Sequence, residues 1–120
     1  VLARPCDERN LVVVFGAVDF VLSSELLLSS ASVSTYQGPT WSQGPDAELR
    51  LCRVGTVFSL LVRPVTGGAW QTLSSYPRGD LPASLQVGPV AYANQPTPDL
   101  RASFDEVTFA DAQAAPDCSN

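Results

Sequence analysis

Between Ala47 and Arg63 apolar and polar residues alternate with a period of two. Leu49 and Leu51 fall on one side of the segment, with Glu48 and Arg50 on the other. Beyond Gly55 the alternation resumes, with Phe58, Leu60 and Val62 on one face. Successive strand side chains point to opposite faces, so this pattern predicts strands over 47–54 and 56–63 with a turn at Gly55. Pro64 to Gly68 predicts a further hairpin into a strand over 70–76, with Trp70, Thr72 and Ser74 on one face. A loop over 77–82 then carries Arg78 and Asp80. Leu85 to Tyr92 reads as a strand interrupted by Gly88-Pro89, which places it at a sheet edge or a bulge. Leu100 to Phe109 reads as the closing strand, with Ala102, Phe104 and Glu106 opposing Ser103, Asp105, Val107 and Phe109. From Ala110 the residues are small and polar, a loose tail (111–120) up to Cys118.

Toward the N-terminus the signals are shorter. Val1 to Arg4 reads as the end of a strand, and Leu11 to Phe15 is an apolar run of the length of a buried strand. Val18 to Leu22 and Glu25 to Leu28 read as extended or weakly helical, since Leu26-Leu27-Leu28 lacks β-branching. Ser29 to Tyr36 alternates again. Gln37 to Asp46, with Gly38-Pro39, Trp41 and Gly44-Pro45, reads as a long loop. Closely spaced short strands without a long helix predict an all-β sandwich or barrel in a single domain over 1–120.

Four groups of residues carry a resemblance. They are Leu49-Arg50-Leu51-x-Arg53-x-Gly55-x-x-Phe58, Gly68-x-Trp70, Leu85-x-Val87-Gly88 and Phe104-Asp105-Glu106-Val107. In this order the chain resembles the C-terminal half of concanavalin A-like, laminin G-like jelly-roll domains. The resemblance implies an antiparallel β sandwich of the concanavalin A-like lectin/glucanase type, with Trp70 a packing residue of its hairpin. Such domains begin with strands that pair with the terminal one, and here Val1 falls inside the fold. The expectation is that the front strands lie elsewhere, in an N-terminal fragment or a neighbouring copy. That partner would complete the face built from Leu11 to Phe15 and the strand around Phe104. The absence of methionine is in keeping with a processed chain or a piece of a longer one.

Charge narrows the function classes. Seven arginines and no lysine stand against twelve acids, a net charge of −5. No positive stripe is available for phosphate backbones or anionic lipid surfaces, so neither nucleic acid nor a membrane is an expected partner. No apolar stretch reaches the roughly 18–20 residues of a transmembrane helix. Lysine, histidine, methionine and isoleucine are all absent, a bias that points to a GC-rich bacterial source. Three cysteines, Cys6, Cys52 and Cys118, allow three single pairings. The expectation is a Cys6–Cys52 bond, both residues being next to strands, with Cys118 free or joined outside the chain. One disulfide in a Pro-, Gly-, Ser- and Thr-rich chain suits a secreted, periplasmic or cell-surface protein.

Catalytic signals are missing. A nucleophilic triad needs a base, and there is no histidine. The Glu-x-Asp-x-x-Glu strand of sandwich glycosidases does not occur, and adjacent Asp105 and Glu106 point to opposite strand faces. The chain is therefore expected not to be an enzyme and to hold no cofactor. Calcium would draw on oxygen donors among Asp7, Glu8, Asn10, Asp80, Asp99 and Asp105, but no spacing selects a site. Glycan binding would use aromatic platforms and planar polar groups: Trp41, Tyr36, Tyr76, Tyr92 and Trp70 with Arg78, Asp80, Asn94 and Gln95. The expected function is a non-catalytic recognition module for a glycan or a protein surface. The rival is a structural subunit of an extracellular assembly or filament, suggested by the low charge and the apolar runs.

Overall fold

The computed structural model describes the strand backbones 2–4, 11–16, 22–28 and 33–37, and residues 46–89 and 101–120 in full. The fold is all-β, with no α-helix among the described residues. The strands are β1 (Leu2–Arg4), β2 (Leu11–Gly16), β3 (Leu22–Leu28), β4 (Val33–Gln37), β5 (Ala47–Val54), β6 (Val57–Pro64), β7 (Gln71–Pro77) and β8 (Gln86–Gly88). They form a five-stranded sheet ordered β4-β3-β2-β1-β8 and a three-stranded sheet ordered β5-β6-β7. Every pairing among the described residues is antiparallel. β2 takes both of its neighbours, β1 and β3, from this chain. Among the described strands β8 lies at an edge, one of the two placements expected from Gly88-Pro89; the rest of the expected strand, 90–92, lies outside the described residues. The two sheets touch where β2 meets β5 and β6, and where β3 meets β7.

The β5–β6 hairpin follows from its sequence. Val54 pairs with Val57, so Gly55-Thr56 is a two-residue loop. Gly55 sits at φ +59°, a left-handed conformation that glycine adopts without a Cβ penalty. The register puts Leu49 opposite Val62, Leu51 opposite Leu60 and Arg53 opposite Phe58 on one face. Phe58, Leu60 and Val62 are fully buried there, with Tyr76 and Leu81 beside them and Leu49, Leu51, Leu73 and Leu85 packed around. Burying each large apolar side chain contributes about 1.5–3 kcal/mol. Glu48, Arg50, Cys52, Ser59, Leu61 and Arg63 take the opposite, outer face.

Several expectations are corrected. Cys52 is bonded to Cys118, so the expected Cys6–Cys52 bond is replaced; Cys6 itself lies outside the described residues. Residues 111–120 are not a loose tail. A 3-10 helix, Ala115–Ser119, brings Cys118 onto the outer face of β5, and the Asp117 carboxylate accepts from the Gln113 and Ala114 backbone N–H groups. Residues 101–110 contain no strand, and Phe104, Val107 and Phe109 are 52%, 50% and 75% exposed. Phe104 has the opposite parity to Val107 and Phe109, so neither side of an extended segment would be a continuous apolar face.

β7 departs from simple alternation too. Ser74 pairs with Leu60 and Thr72 with Leu61, and the register shifts between those two β6 residues. Leu73 is the extra residue of a β-bulge, which separates Thr72 from Ser74 across the sheet.

Candidate functional site

The outer face of the three-stranded sheet concentrates charge around one aromatic ring. Trp70 precedes β7, and the guanidinium carbons of Arg50 and Arg63 stand 4.0 and 4.5 Å from its ring centroid. Cations over an indole face are attracted by its quadrupole. Glu48 lies directly across from Arg63, and its Oε2 accepts from Arg63 Nη2 at 2.6 Å and Nε at 2.9 Å. Arg50 Nη1 donates to the carbonyls of Cys118 and Asn120, both at 2.7 Å. Burial holds the Arg50 guanidinium below its usual range; the neighbouring Arg63 charge adds to this and Glu48 offsets it. Beside the array, Cys52, Leu61 and Cys118 are buried together with Val54, Trp70 and Ala112 packed on them. The Trp70 indole N–H is buried and has no acceptor among the described residues. This face is held together by its own tail and presents no open aromatic platform, in keeping with a packing role for Trp70.

The loop after β7 places the polar candidates. Arg78 is only 2% exposed and grips Asp80 with two hydrogen bonds, Nε to Oδ1 at 2.8 Å and Nη2 to Oδ2 at 2.7 Å. The Arg78 bond holds the Asp80 carboxyl below the usual carboxylate range, against an opposing contribution from burial. The Arg78 backbone N–H donates to Thr56 O at 2.8 Å, tying this loop to the β5–β6 turn. Tyr76 is 5% exposed in the core, so its ring offers no face on which a sugar could stack. Thus Tyr76 and Arg78 are structural in this position, and Asp80 is engaged as the partner of Arg78. Tyr36 lies in β4, described by its backbone alone. Trp41, Tyr92, Asn94 and Gln95 lie outside the described residues, as do the calcium candidates Asp7, Glu8, Asn10 and Asp99. Asp105 is exposed, and no group of three or more potential metal-ligating His, Cys, Asp or Glu residues converges among the described residues.

Among the described residues, two features open to solvent stand out. One is the apolar stretch of Phe104, Val107 and Phe109. The other is a groove of about 230 Å³ at one end of the inner face, lined by Leu51, Arg53, Phe58, Ala83, Leu85 and Val87. Arg53 was not among the sequence candidates. Its signal is its parity: it shares a strand face with Leu49 and Leu51, where an arginine is out of place.

Comparison of the chain with protein-family models, curated proteins and solved structures gave no match. The likeness to concanavalin A-like domains therefore rests on the quoted residues and their order alone. Among the described residues no helix is long and apolar enough to cross a membrane.

Proposed function

We propose that this chain is a non-catalytic, extracytoplasmic recognition module built as a jelly-roll β sandwich of concanavalin A-like type, and that its contact surface is for protein rather than glycan. The observation that carries this reading is the exposure of Phe104, Val107 and Phe109 within six residues of chain. Three large apolar side chains left in water within one short segment are surface that a macromolecular partner would bury. The glycan reading draws less support, because Tyr76 and Arg78 are buried and Asp80 is engaged. The Cys52–Cys118 bond supports placement in an oxidising compartment, secreted, periplasmic or at the cell surface. The absence of histidine supports the non-catalytic reading.

The test compares the natural chain with a Phe104→Ser/Phe109→Ser variant. A photo-crosslinker at position 107 should give a defined adduct with a protein of the cell surface or medium, and the variant should lose it. Binding to a glycan array that survives in the variant would overturn the protein reading. The second reading, a structural subunit, rests on the same apolar stretch. It predicts concentration-dependent growth in light scattering of the chain alone, abolished in the variant.

A further inference from the structure

The groove beside Arg53 has the composition of a small-ligand site. Leu51, Phe58, Leu85 and Val87 supply apolar wall, and Ala83 supplies a small side chain at the rim. Among the described residues no acidic side chain lines it. At its polar side lies the Arg53 guanidinium, 5.1 Å from the Phe58 ring centroid.

Arg53 is held from one side. Nε donates to Gly55 O at 2.9 Å, and Nη1 donates to Pro82 O at 2.8 Å and Ala83 O at 3.2 Å. These acceptors are neutral carbonyls of the β5–β6 turn and the loop before β8. They fix the guanidinium plane without neutralising its charge. Nη2 has no hydrogen-bond partner, and the guanidinium no carboxylate partner, among the described residues. A preoriented, half-buried cation with one free donor nitrogen beside an apolar groove lowers the ordering cost of binding an anion.

The geometry points to a binding site for a small monocarboxylate with an apolar body, its carboxylate on Arg53 Nη2 and its hydrocarbon in the groove between Leu51, Phe58, Leu85 and Val87. One carboxylate oxygen can accept a charge-assisted hydrogen bond from Nη2, and the walls formed by the described residues offer nothing polar to the rest of the ligand. The groove is smaller than most drug-sized pockets, so the body is limited to a few carbons. Such a carboxylate can come from a free short-chain acid or from the C-terminal apolar residue of a peptide.

Hexanoate is the first probe, titrated into the disulfide-bonded protein and followed by amide and Arg53 Nε NMR shifts. The expected result is saturable shifts at Ala83, Leu85, Val87 and Arg53, with a dissociation constant on the order of a millimolar. Hexanol, of the same shape without the charge, should bind about tenfold more weakly. Arg53→Gln should weaken hexanoate to the level of hexanol. Ala83→Leu fills the groove from an exposed position, leaves the backbone acceptors of Arg53 in place and should abolish binding. If Arg53→Gln does not fold, Ala83→Leu and the hexanol comparison decide. N-acetyl-Gly-Leu, run in parallel, distinguishes the sources: tighter binding than hexanoate names a peptide C-terminus, and weaker binding names a free acid. No saturable shift with either carboxylate, hexanoate binding no tighter than hexanol, or binding unaffected by Ala83→Leu would overturn the assignment.

Discussion

Cys52, in β5, and Cys118, in the 3-10 helix near the end of the chain, are joined with their Cα atoms 5.7 Å apart across 66 residues of sequence. The bond fixes residues 112–120 against the outer face of the sheet, where Arg50 also grips the carbonyls of Cys118 and Asn120. Chain-entropy reasoning for a loop of this length gives about 4 kcal/mol of stabilisation. Cys118→Ser should lower the denaturation midpoint accordingly, and the loss should equal that of Cys52→Ser. Peptide mapping of the oxidised protein should recover the 52–118 linkage; a 6–52 linkage instead would refute this geometry.

Phe58 is 1% exposed in the core, and its neighbour Val57 is 42% exposed on the other side of the strand. Phe58→Ala should cost about 3–5 kcal/mol through lost burial and the cavity left behind. Val57→Ala should stay within about 0.5 kcal/mol. Urea denaturation of the two variants checks both, and equal effects would contradict the facing of β6.

Glu48 is the carboxylate beside the two arginines over Trp70. Its side chain is 39% exposed and that of Arg63 is 31% exposed, so water and salt screen their pair. Glu48→Gln should cost no more than about 1 kcal/mol in dilute buffer, and less in high salt. A larger loss that salt does not reduce would mean the carboxylate has a role beyond pairing.

Asp80 has a folded-state pKa depressed chiefly by its hydrogen bond from Arg78. A depressed carboxylate contributes stability above its unfolded value, near pH 4, and loses it as pH falls through the folded value. The natural protein should therefore lose stability below about pH 4 more steeply than Asp80→Asn, which has no proton to take up there. Denaturation midpoints from neutral pH down to about pH 2 measure this. Parallel curves for the two proteins would show that the pair contributes nothing to acid sensitivity. The half-exposed carboxylate keeps the expected difference small.

The sequence alone determined strands at 47–54 and 56–63, within a residue of those observed, the inward facing of Leu49, Leu51, Phe58, Leu60 and Val62, the turn at Gly55, and an interruption at Gly88-Pro89 that put its strand at an edge or a bulge. These follow from backbone rules that act over a few residues: alternation along a strand, the conformational freedom of glycine and the missing donor of proline. Tertiary structure alone decided which cysteines meet, because pairing depends on where distant segments lie. The arrival of Cys118 and Ala112 also buries Leu61 on a face that alternation assigns to solvent. Tyr76 and Arg78 looked like surface groups by type, but the β6–β7 register and the loop tied to Thr56 carry them inward. The apolar residues at 104–109 suggested a closing strand. Burial requires a partner surface as well as an apolar residue, and no period in the chain encodes where that surface lies.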